Sequence, residues 1–154
     1  MAGRIDARLK ELGIELPVPN APVANYVPYV VTGNLVFISG QVSMAGSEKV
    51  LGTVGQDLSV EQGQQAARLC AITILAQAKA ACGGDLDRVK RCVKLGGFVA
   101  SGPDFKDHPK VVNGASDLIV EVLGDAGRHA RFAVGVPALP MGFAVEVDAV
   151  FEIA

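Results

Sequence analysis

The sequence predicts an α+β domain in which two helices pack on one face of a mixed β-sheet. Short β-type runs precede the first long helical segment, a further β run separates it from a second helical segment, and the last stretch alternates apolar and polar residues. The chain has 154 residues, of which 50% are hydrophobic, so a single domain can bury a sizeable core without disulfides or metals.

The chain begins with a short amphipathic segment. Apolar residues spaced four and three apart, from Ile5 to Leu12, fall on one helical stripe, and Gly13 is a typical helix end. The segment that follows is rich in proline and should run extended. We interpret residues 1–18 as an accessory helix with a Pro-rich tether, and residues 19–154 as the main domain.

Two short β runs come next, Tyr26–Val31 and Asn34–Gly40, and Gly33 between them marks a turn. The second run is apolar on both faces and leads into the small polar tripeptide Ser39-Gly40-Gln41. A short edge strand is expected near Lys49–Leu51.

The first long helix has clear signals at both ends. Ser59 and Gln62 have the spacing of a capping box, in which each side chain bonds the backbone amide of the other residue. The helix should run to about Ala81, because Gly83 and Gly84 are typical of a helix end.

A long β run, Arg88–Ser101, is the next predicted strand. Its apolar side chains are expected to share one face: Val89, Val93, Leu95 and Val99. The pair Gly96-Gly97 in its middle indicates either a β-bulge or the close approach of another part of the chain.

The second long helix is predicted after Asp107 and His108, with Pro109 in its first turn. From Val111 onward, apolar residues recur at spacings of three and four until Gly124 ends the helix. These residues should face the sheet.

The C-terminal stretch contains two β runs, Arg131–Val136 and Phe143–Ile153, on either side of a Pro-rich connection. This pattern is typical of adjacent strands joined by a turn, and antiparallel pairing would place Arg131 near Glu146 or Asp148. A guanidinium beside a carboxylate suits a site for a small carboxylate substrate, but it equally describes an ordinary cross-strand ion pair.

Helices on one face leave the other face of the sheet without cover in a single chain. Because the strands are apolar on both sides, that face should be hydrophobic, which is unusual for the surface of a soluble monomer. We therefore expect another copy of the chain to cover it.

Charge and composition exclude several classes of function. The net charge is −2 and the basic residues are scattered, so binding to nucleic acid is not expected. The three cysteines form no CxxC pair and the two histidines no HxxxH pair, so neither a metal site nor a disulfide framework is expected. No signal peptide and no membrane-spanning segment are apparent, so we expect a cytoplasmic protein.

Several segments together resemble the YjgF/RidA family, also described as L-PSP endoribonucleases. They are Ala21-Pro22, Pro28-Tyr29-Val30, the run 33–41 ending in Ser39-Gly40-Gln41, Phe98-Val99, Asp104-Phe105, Val112-Asn113, the pattern Arg131-x-x-Val134-x-Val136-x-x-Leu139-Pro140, and Val145–Ala149. The resemblance covers roughly residues 19–154. The N-terminal helix lies outside the basic pattern and is similar to a longer branch of the family.

The resemblance implies a chorismate-mutase-like α+β fold and a homotrimer with clefts between subunits, which agrees with the uncovered sheet face. It also implies an enamine/imine deaminase that hydrolyses small 2-imino acids to 2-keto acids and ammonia, without metal or organic cofactor. The alternative is a trimer that binds a small carboxylate metabolite without turnover. Ribonuclease activity is disfavoured by the acidic composition.

Carried over residue by residue, the resemblance assigns Arg131 to the substrate carboxylate and Glu146 to a water beside the imine carbon. It places four residues in the lining of the cleft: Tyr29, Ser39, Gly40 and Asn113. Tyr29 would contact the substrate, although Tyr26 is an alternative for that role. Asn113 and the Gly40 backbone would orient the substrate. Asp148 is interpreted as a structural neighbour of Glu146.

The chain departs from the family at three positions near the arginine. Ala133 stands where the family often has Cys, so thiol chemistry is excluded there. Phe132 is bulky, and Met141 replaces a residue that is commonly charged. These changes should alter the size or polarity of the cleft.

Overall fold

The structure, a computed structural model, describes residues 3–19 and 24–154. It contains three helices: α1 (Arg4–Glu11), α2 (Val60–Ala81) and α3 (His108–Leu123). It also contains seven strands: β1 (Tyr29–Thr32), β2 (Leu35–Val42), β3 (Met44–Ala45), β4 (Glu48–Lys49), β5 (Val89–Ala100), β6 (Ala130–Val136) and β7 (Val145–Ile153). The Ala21-Pro22 segment of the resemblance lies outside the described residues.

The main sheet has five strands in the order β1-β2-β7-β5-β6, and β3 and β4 form a separate small ribbon. All neighbours in the main sheet are antiparallel except β5 and β6, which are parallel and joined through α3. Helices α2 and α3 pack on the same face of this sheet and on each other. The predicted α+β architecture with a mixed sheet is therefore confirmed.

The predicted pairing of the last two strands is wrong. Strand β5 lies between β6 and β7, parallel to the first and antiparallel to the second. The Pro-rich connection carries the chain past the end of β5 through a tight turn at Pro140–Gly142, where Met141 adopts a positive φ of 56°. Arg131 is consequently not a cross-strand neighbour of Glu146 or Asp148.

The alternation predicted for the last strand is confirmed. Five residues of β7 are buried against the helices: Val145, Val147, Ala149, Phe151 and Ile153. The residues between them, from Glu146 to Glu152, point to the opposite face. The buried face of β7 therefore lies in the middle of the core.

Both long helices begin as their sequences predict. The Ser59 hydroxyl accepts from the Gln62 amide at 3.1 Å, and the Ser59 amide donates to Gln62 Oε1 at 2.8 Å, which completes the capping box. Helix α3 has Pro109 in its first turn and presents a buried apolar stripe to the sheet. Gly124 ends it with φ 66°.

Details of the strands differ from the sequence predictions. Strand β1 begins at Tyr29 rather than Tyr26, and the expected edge strand is instead the β3–β4 ribbon, which ends at Lys49. In β5, two register shifts against β7 turn Cys92 rather than Val93 toward the helices.

The glycine pair of β5 permits close approach and is not a bulge, since its pairing with both neighbouring strands is regular. A Cβ on Gly96 would meet the Phe132 ring, and one on Gly97 would meet Val112 of α3. The two glycines thus let a ring and a helix approach the sheet from its two faces.

The face of the sheet opposite the helices is uncovered in the single chain and carries exposed apolar side chains. Val30, Phe37 and Val134 on this face are 51%, 45% and 43% exposed. Phe98 and Phe132 pack edge to face on it, with ring centroids 5.3 Å apart. The expected exposed apolar residues are present, but charged side chains share the face with them: Lys94, Glu146, Asp148 and Glu152. We refer to this surface as the open face.

Helix α1 is anchored to the rest of the domain. Ile5 and Leu9 are buried in the common core. The Asp87 carboxylate accepts from the amides of Arg4 at 2.8 Å and Ile5 at 2.9 Å, so it caps the helix from a distant part of the chain. These backbone bonds lower the pKa of Asp87.

Candidate functional site

Arg131 lies on the edge strand β6 and points toward α3, on the same side of the sheet as its β5 neighbour Leu95. Its Nη1 donates to Asn113 Oδ1 at 2.8 Å and to Ser116 Oγ at 3.1 Å, and Nη2 lies 3.5 Å from the Pro109 carbonyl. All three acceptors are neutral. Within the described residues Arg131 forms no ion pair, so its positive charge is oriented but not compensated.

The guanidinium keeps donors for a ligand. Its five N–H groups lie in one plane, and the two on Nη1 are engaged by α3. The Nε–H edge has no hydrogen-bond partner among residues 3–19 and 24–154, and Arg131 is only half-buried. The Nε and Nη2 edge can therefore receive one carboxylate through two parallel hydrogen bonds.

A short polar chain behind Arg131 fixes the direction of these bonds. His129 Nδ1 lies 2.6 Å from the Gly127 carbonyl, and Nε2 lies 2.8 Å from Ser116 Oγ. Because a carbonyl only accepts, Nδ1 carries the proton in the neutral ring, and Nε2 accepts from the Ser116 hydroxyl. The lone pairs of Ser116 are then left for Arg131.

Sequence reasoning missed Ser116 and His129 as neighbours of Arg131. His129 lies only two residues from Arg131, but their side chains are linked through a serine on α3, which precedes them in the chain. The contact joins helix α3 to edge strand β6, and residue spacing along the chain cannot predict such a contact.

A second group of polar residues gathers where β2 pairs with β7. The register shifts between Ile38 and Gln41, and this bulge brings the Gly40 backbone against the side chain of Glu146. A Cβ on residue 40 would overlap the Glu146 carboxylate, so a larger residue there would require that side chain to move. The Ser39 hydroxyl donates to the Val27 carbonyl at 2.7 Å and is thereby committed to the backbone.

Glu146 on β7 is a half-buried carboxylate whose pKa is raised. Burial raises the pKa of its carboxyl group, and the neighbouring charge of Asp148 raises that pKa further. Glu146 also lies beside an aromatic side chain of the open face, because Phe98 is the residue paired with it on the neighbouring strand β5. A carboxylate with a raised pKa holds a proton more readily than an exposed one.

Within one chain the two groups are separated. Arg131 points to the helix side of the sheet and Glu146 to the open face, and their Cα atoms are about 14 Å apart, two strand spacings sideways and three residues along the strand. Tyr29 lies on β1, at the opposite edge of the sheet from Arg131. The structure thus brings Arg131 together with Asn113, and Glu146 together with Gly40, as two separate groups, and Ser39 is next to Gly40 in the chain.

The cysteines offer no nucleophile. All three are free and buried, and burial raises the pKa of each thiol, that of Cys92 to about 12. In the part of the chain that the structure describes, no cluster of histidine, cysteine and carboxylate side chains could hold a metal ion. In the same residues no helix is long and apolar enough to span a bilayer.

Comparisons with known proteins agree with the fold. A family model described as "YjgF/chorismate_mutase-like, putative endoribonuclease" matches residues 6–152. The chain is 51% identical to Protein TCP17 of Trypanosoma cruzi over 156 aligned positions, which cover 99% of this chain and 96% of that protein.

Solved structures show the same likeness. The protein Atu1372 of Agrobacterium tumefaciens, described as of unknown function, is 53% identical and superimposes with a TM-score of 0.91, over 97% of this chain and 92% of that one. RidA from an Antarctic Psychrobacter is 29% identical with a TM-score of 0.61, over 88% of this chain and 94% of that one.

Proposed function

The chain belongs to the YjgF/RidA family, and from this premise we propose that it hydrolyses small 2-imino acids and their enamine tautomers to 2-keto acids and ammonia. The observation that carries the proposal is Arg131, a half-buried guanidinium that neutral acceptors hold in place and that no carboxylate of the described residues neutralises. Keeping such a charge unpaired costs stability unless a ligand uses it.

Arg131 would bind the α-carboxylate of the substrate through Nε and Nη2. Two parallel bonds fix the plane of the carboxylate and therefore that of the adjoining imine. Asn113 and Ser116 hold Nη1, so the fork is oriented before the substrate arrives. This positioning lowers the entropy cost of reaching the transition state.

Glu146 would take a proton from a water molecule that attacks the imine carbon. Water attacks as the C=N π electrons move to nitrogen, which gives a carbinolamine, and Glu146 then passes the proton to that nitrogen. As the C–N bond breaks, Glu146 accepts the hydroxyl proton, the carbonyl forms and ammonia leaves. A protonated imine is already electrophilic, so the proposal requires no organic cofactor or metal. Gly40 supports Glu146 by allowing the β2 backbone to approach its carboxylate.

The two separate groups require a second copy of the chain. Arg131 and Glu146 face opposite sides of one sheet, so a substrate held by Arg131 would meet the Glu146 of a neighbouring subunit. The open face provides an apolar surface for such an assembly. We propose a homotrimer in which each cleft takes Arg131 from one subunit and Glu146 from the next.

A coupled assay tests the reaction. An amino-acid oxidase acting on alanine generates 2-iminopropanoate, and the release of ammonia and pyruvate is followed with and without the protein. We expect faster release with the wild type, loss of the acceleration with Arg131→Ala, and its retention with Arg128→Ala, which removes an exposed arginine three residues away. No acceleration by the wild type would disprove the deaminase function.

A second function, binding without turnover, is favoured by one observation. The position two residues beyond Arg131 is alanine, so no thiol is available there to take part in the reaction. Thermal shift against a panel of keto and amino acids detects binding in either case, because a bound ligand raises stability by mass action whether or not it reacts. Stabilisation by a keto acid without acceleration in the imine assay would support binding without turnover.

A further inference from the structure

A cavity opens at the end of β6 opposite Arg131. Its volume is about 480 Å³, within the range of small-molecule sites. Six residues define its character: Ser101, Phe105, His108, Gly135, Val136 and Pro137. Among the described residues, no carboxylate, lysine or arginine lines it, so its walls are mostly apolar and uncharged.

The cavity contains one polar pair. Ser101 is buried, and its hydroxyl lies 3.2 Å from His108 Nε2 and 3.2 Å from the Val99 carbonyl. Phe105 packs edge-on against the imidazole, with centroids 5.3 Å apart. Because the Ser101 hydroxyl donates to the Val99 carbonyl, His108 Nε2–H donates to Ser101 Oγ, and the remaining lone pair of Oγ can accept a hydrogen bond from a neutral ligand hydroxyl.

Glycine at position 135 makes room for this pair. A Cβ there would overlap His108 Nε2 and approach the Ser101 hydroxyl. Neither the resemblance nor the proposed reaction requires Gly135, His108 or Ser101, so the arrangement calls for an explanation of its own.

The cavity lies on the same side of β6 as the guanidinium. Strand alternation places Arg131, Ala133 and Gly135 on one face, with the outer two about 13 Å apart. The residue between them has only a methyl group. The first turn of α3 borders both ends, because Pro109 contacts Arg131 and the adjacent His108 lines the cavity.

We propose that this cavity is the side-chain subsite of the carboxylate site and selects 2-imino acids with a large, mostly apolar side chain ending in a neutral hydroxyl. The inference rests on the proposed deaminase function. With its carboxylate on Arg131, such a substrate extends along Ala133, packs its apolar body near Phe105 and donates its hydroxyl to Ser101 Oγ, which His108 holds in place. The methyl group of 2-iminopropanoate leaves the cavity empty.

The kinetic test compares imines generated by an amino-acid oxidase from tyrosine, phenylalanine and alanine. A site built to bond a hydroxyl rejects the analogue that lacks it, so we expect the wild type to favour the tyrosine imine over the phenylalanine imine at least tenfold in kcat/KM. Ser101→Ala should reduce that ratio toward one. Ser47→Ala, in an exposed turn, should keep it.

A binding test works without turnover. The corresponding 2-keto acids, 4-hydroxyphenylpyruvate, phenylpyruvate and pyruvate, are titrated by calorimetry into wild type, Ser101→Ala and Gly135→Ala, the last displacing the imidazole. We expect the hydroxylated acid to bind at least tenfold more tightly than the other two, and this preference to be lost in both variants.

The two proposals fail in different ways. Hydrolysis of the alanine imine with no preference for the hydroxylated substrate overturns the subsite and leaves the deaminase function standing. Selective binding of 4-hydroxyphenylpyruvate without hydrolysis of any imine supports the subsite and overturns the deaminase function. Equal binding of all three keto acids overturns the subsite whatever the kinetics show.

Discussion

Mixing two inactive variants tests whether the site is shared between subunits. Arg131→Ala removes the carboxylate fork, and Glu146→Gln removes the base while keeping its shape. Charge-assisted hydrogen bonds contribute about 1.5 to 3 kcal/mol each, so loss of a two-bond grip should cost roughly 3 kcal/mol or more, over a hundredfold in kcat/KM. Each variant alone should therefore be nearly inactive.

The expected recovery follows from the geometry of the sheet. Because the two residues lie about 14 Å apart on opposite faces of one sheet, no chain completes a site by itself. In trimers assembled at random from equal amounts, half of the subunits carry the arginine and half of their neighbours carry the glutamate. About a quarter of the clefts are then complete, and about a quarter of wild-type activity should return.

The experiment uses the two full-length variants, unfolded and refolded together, with the imine assay as readout. Its control mixes wild type with the Arg131→Ala, Glu146→Gln double variant: a shared site again gives about a quarter of wild-type activity, whereas a site within one chain gives about half. A mixture of the single variants no more active than its components, together with half activity in the control, would refute the shared site.

Three further predictions concern single residues. Ser116→Ala removes one acceptor of Arg131, and since a net hydrogen bond contributes about 0.5–1.5 kcal/mol, the Kd for pyruvate measured by calorimetry should rise about three- to tenfold. Glu146→Gln should unfold at higher temperature than wild type at pH 7: the raised pKa means that wild-type stability falls as pH rises above the ordinary value of 4.5, so the difference should vanish below that pH. Asp87→Asn should lower the melting temperature at pH 7 and expose α1 to proteolysis, and because the pKa of Asp87 is lowered, wild type should lose this advantage as pH falls below its ordinary value of 3.8.

Matched controls make these tests specific. Glu152→Gln changes a carboxylate on the same strand and face as Glu146, but away from the β2 bulge, and should not show the same gain at pH 7. Asp125→Asn changes an exposed aspartate that caps no helix and should leave α1 protected. If Ser116→Ala bound pyruvate as tightly as wild type, the orienting role of its hydroxyl would be wrong.

Local signals in the sequence were sufficient for most elements of the fold. Helix ends are signalled by residues close in sequence: the capping box at Ser59, the proline in the first turn of α3 and the glycines that end both helices. These signals do not depend on contacts with distant parts of the chain, so the sequence predicts them. The alternation of β7 also fixed which of its side chains are buried. The same apolar pattern on both sides of the strands predicted the open face.

The order of the strands was decided by the tertiary structure alone. Neighbours in sequence need not be neighbours in a sheet, and β5 inserts between β6 and β7 because the connection through α3 returns the chain parallel to it. That order puts β5 between Arg131 and Glu146, and the register places the two side chains on opposite faces. The packing of α3 across β6 brings Ser116 to the arginine. The residue pattern identified Arg131 and Glu146 as the candidate cation and carboxylate. The distance between them depends on the long-range packing of strands and helices, which no local pattern encodes.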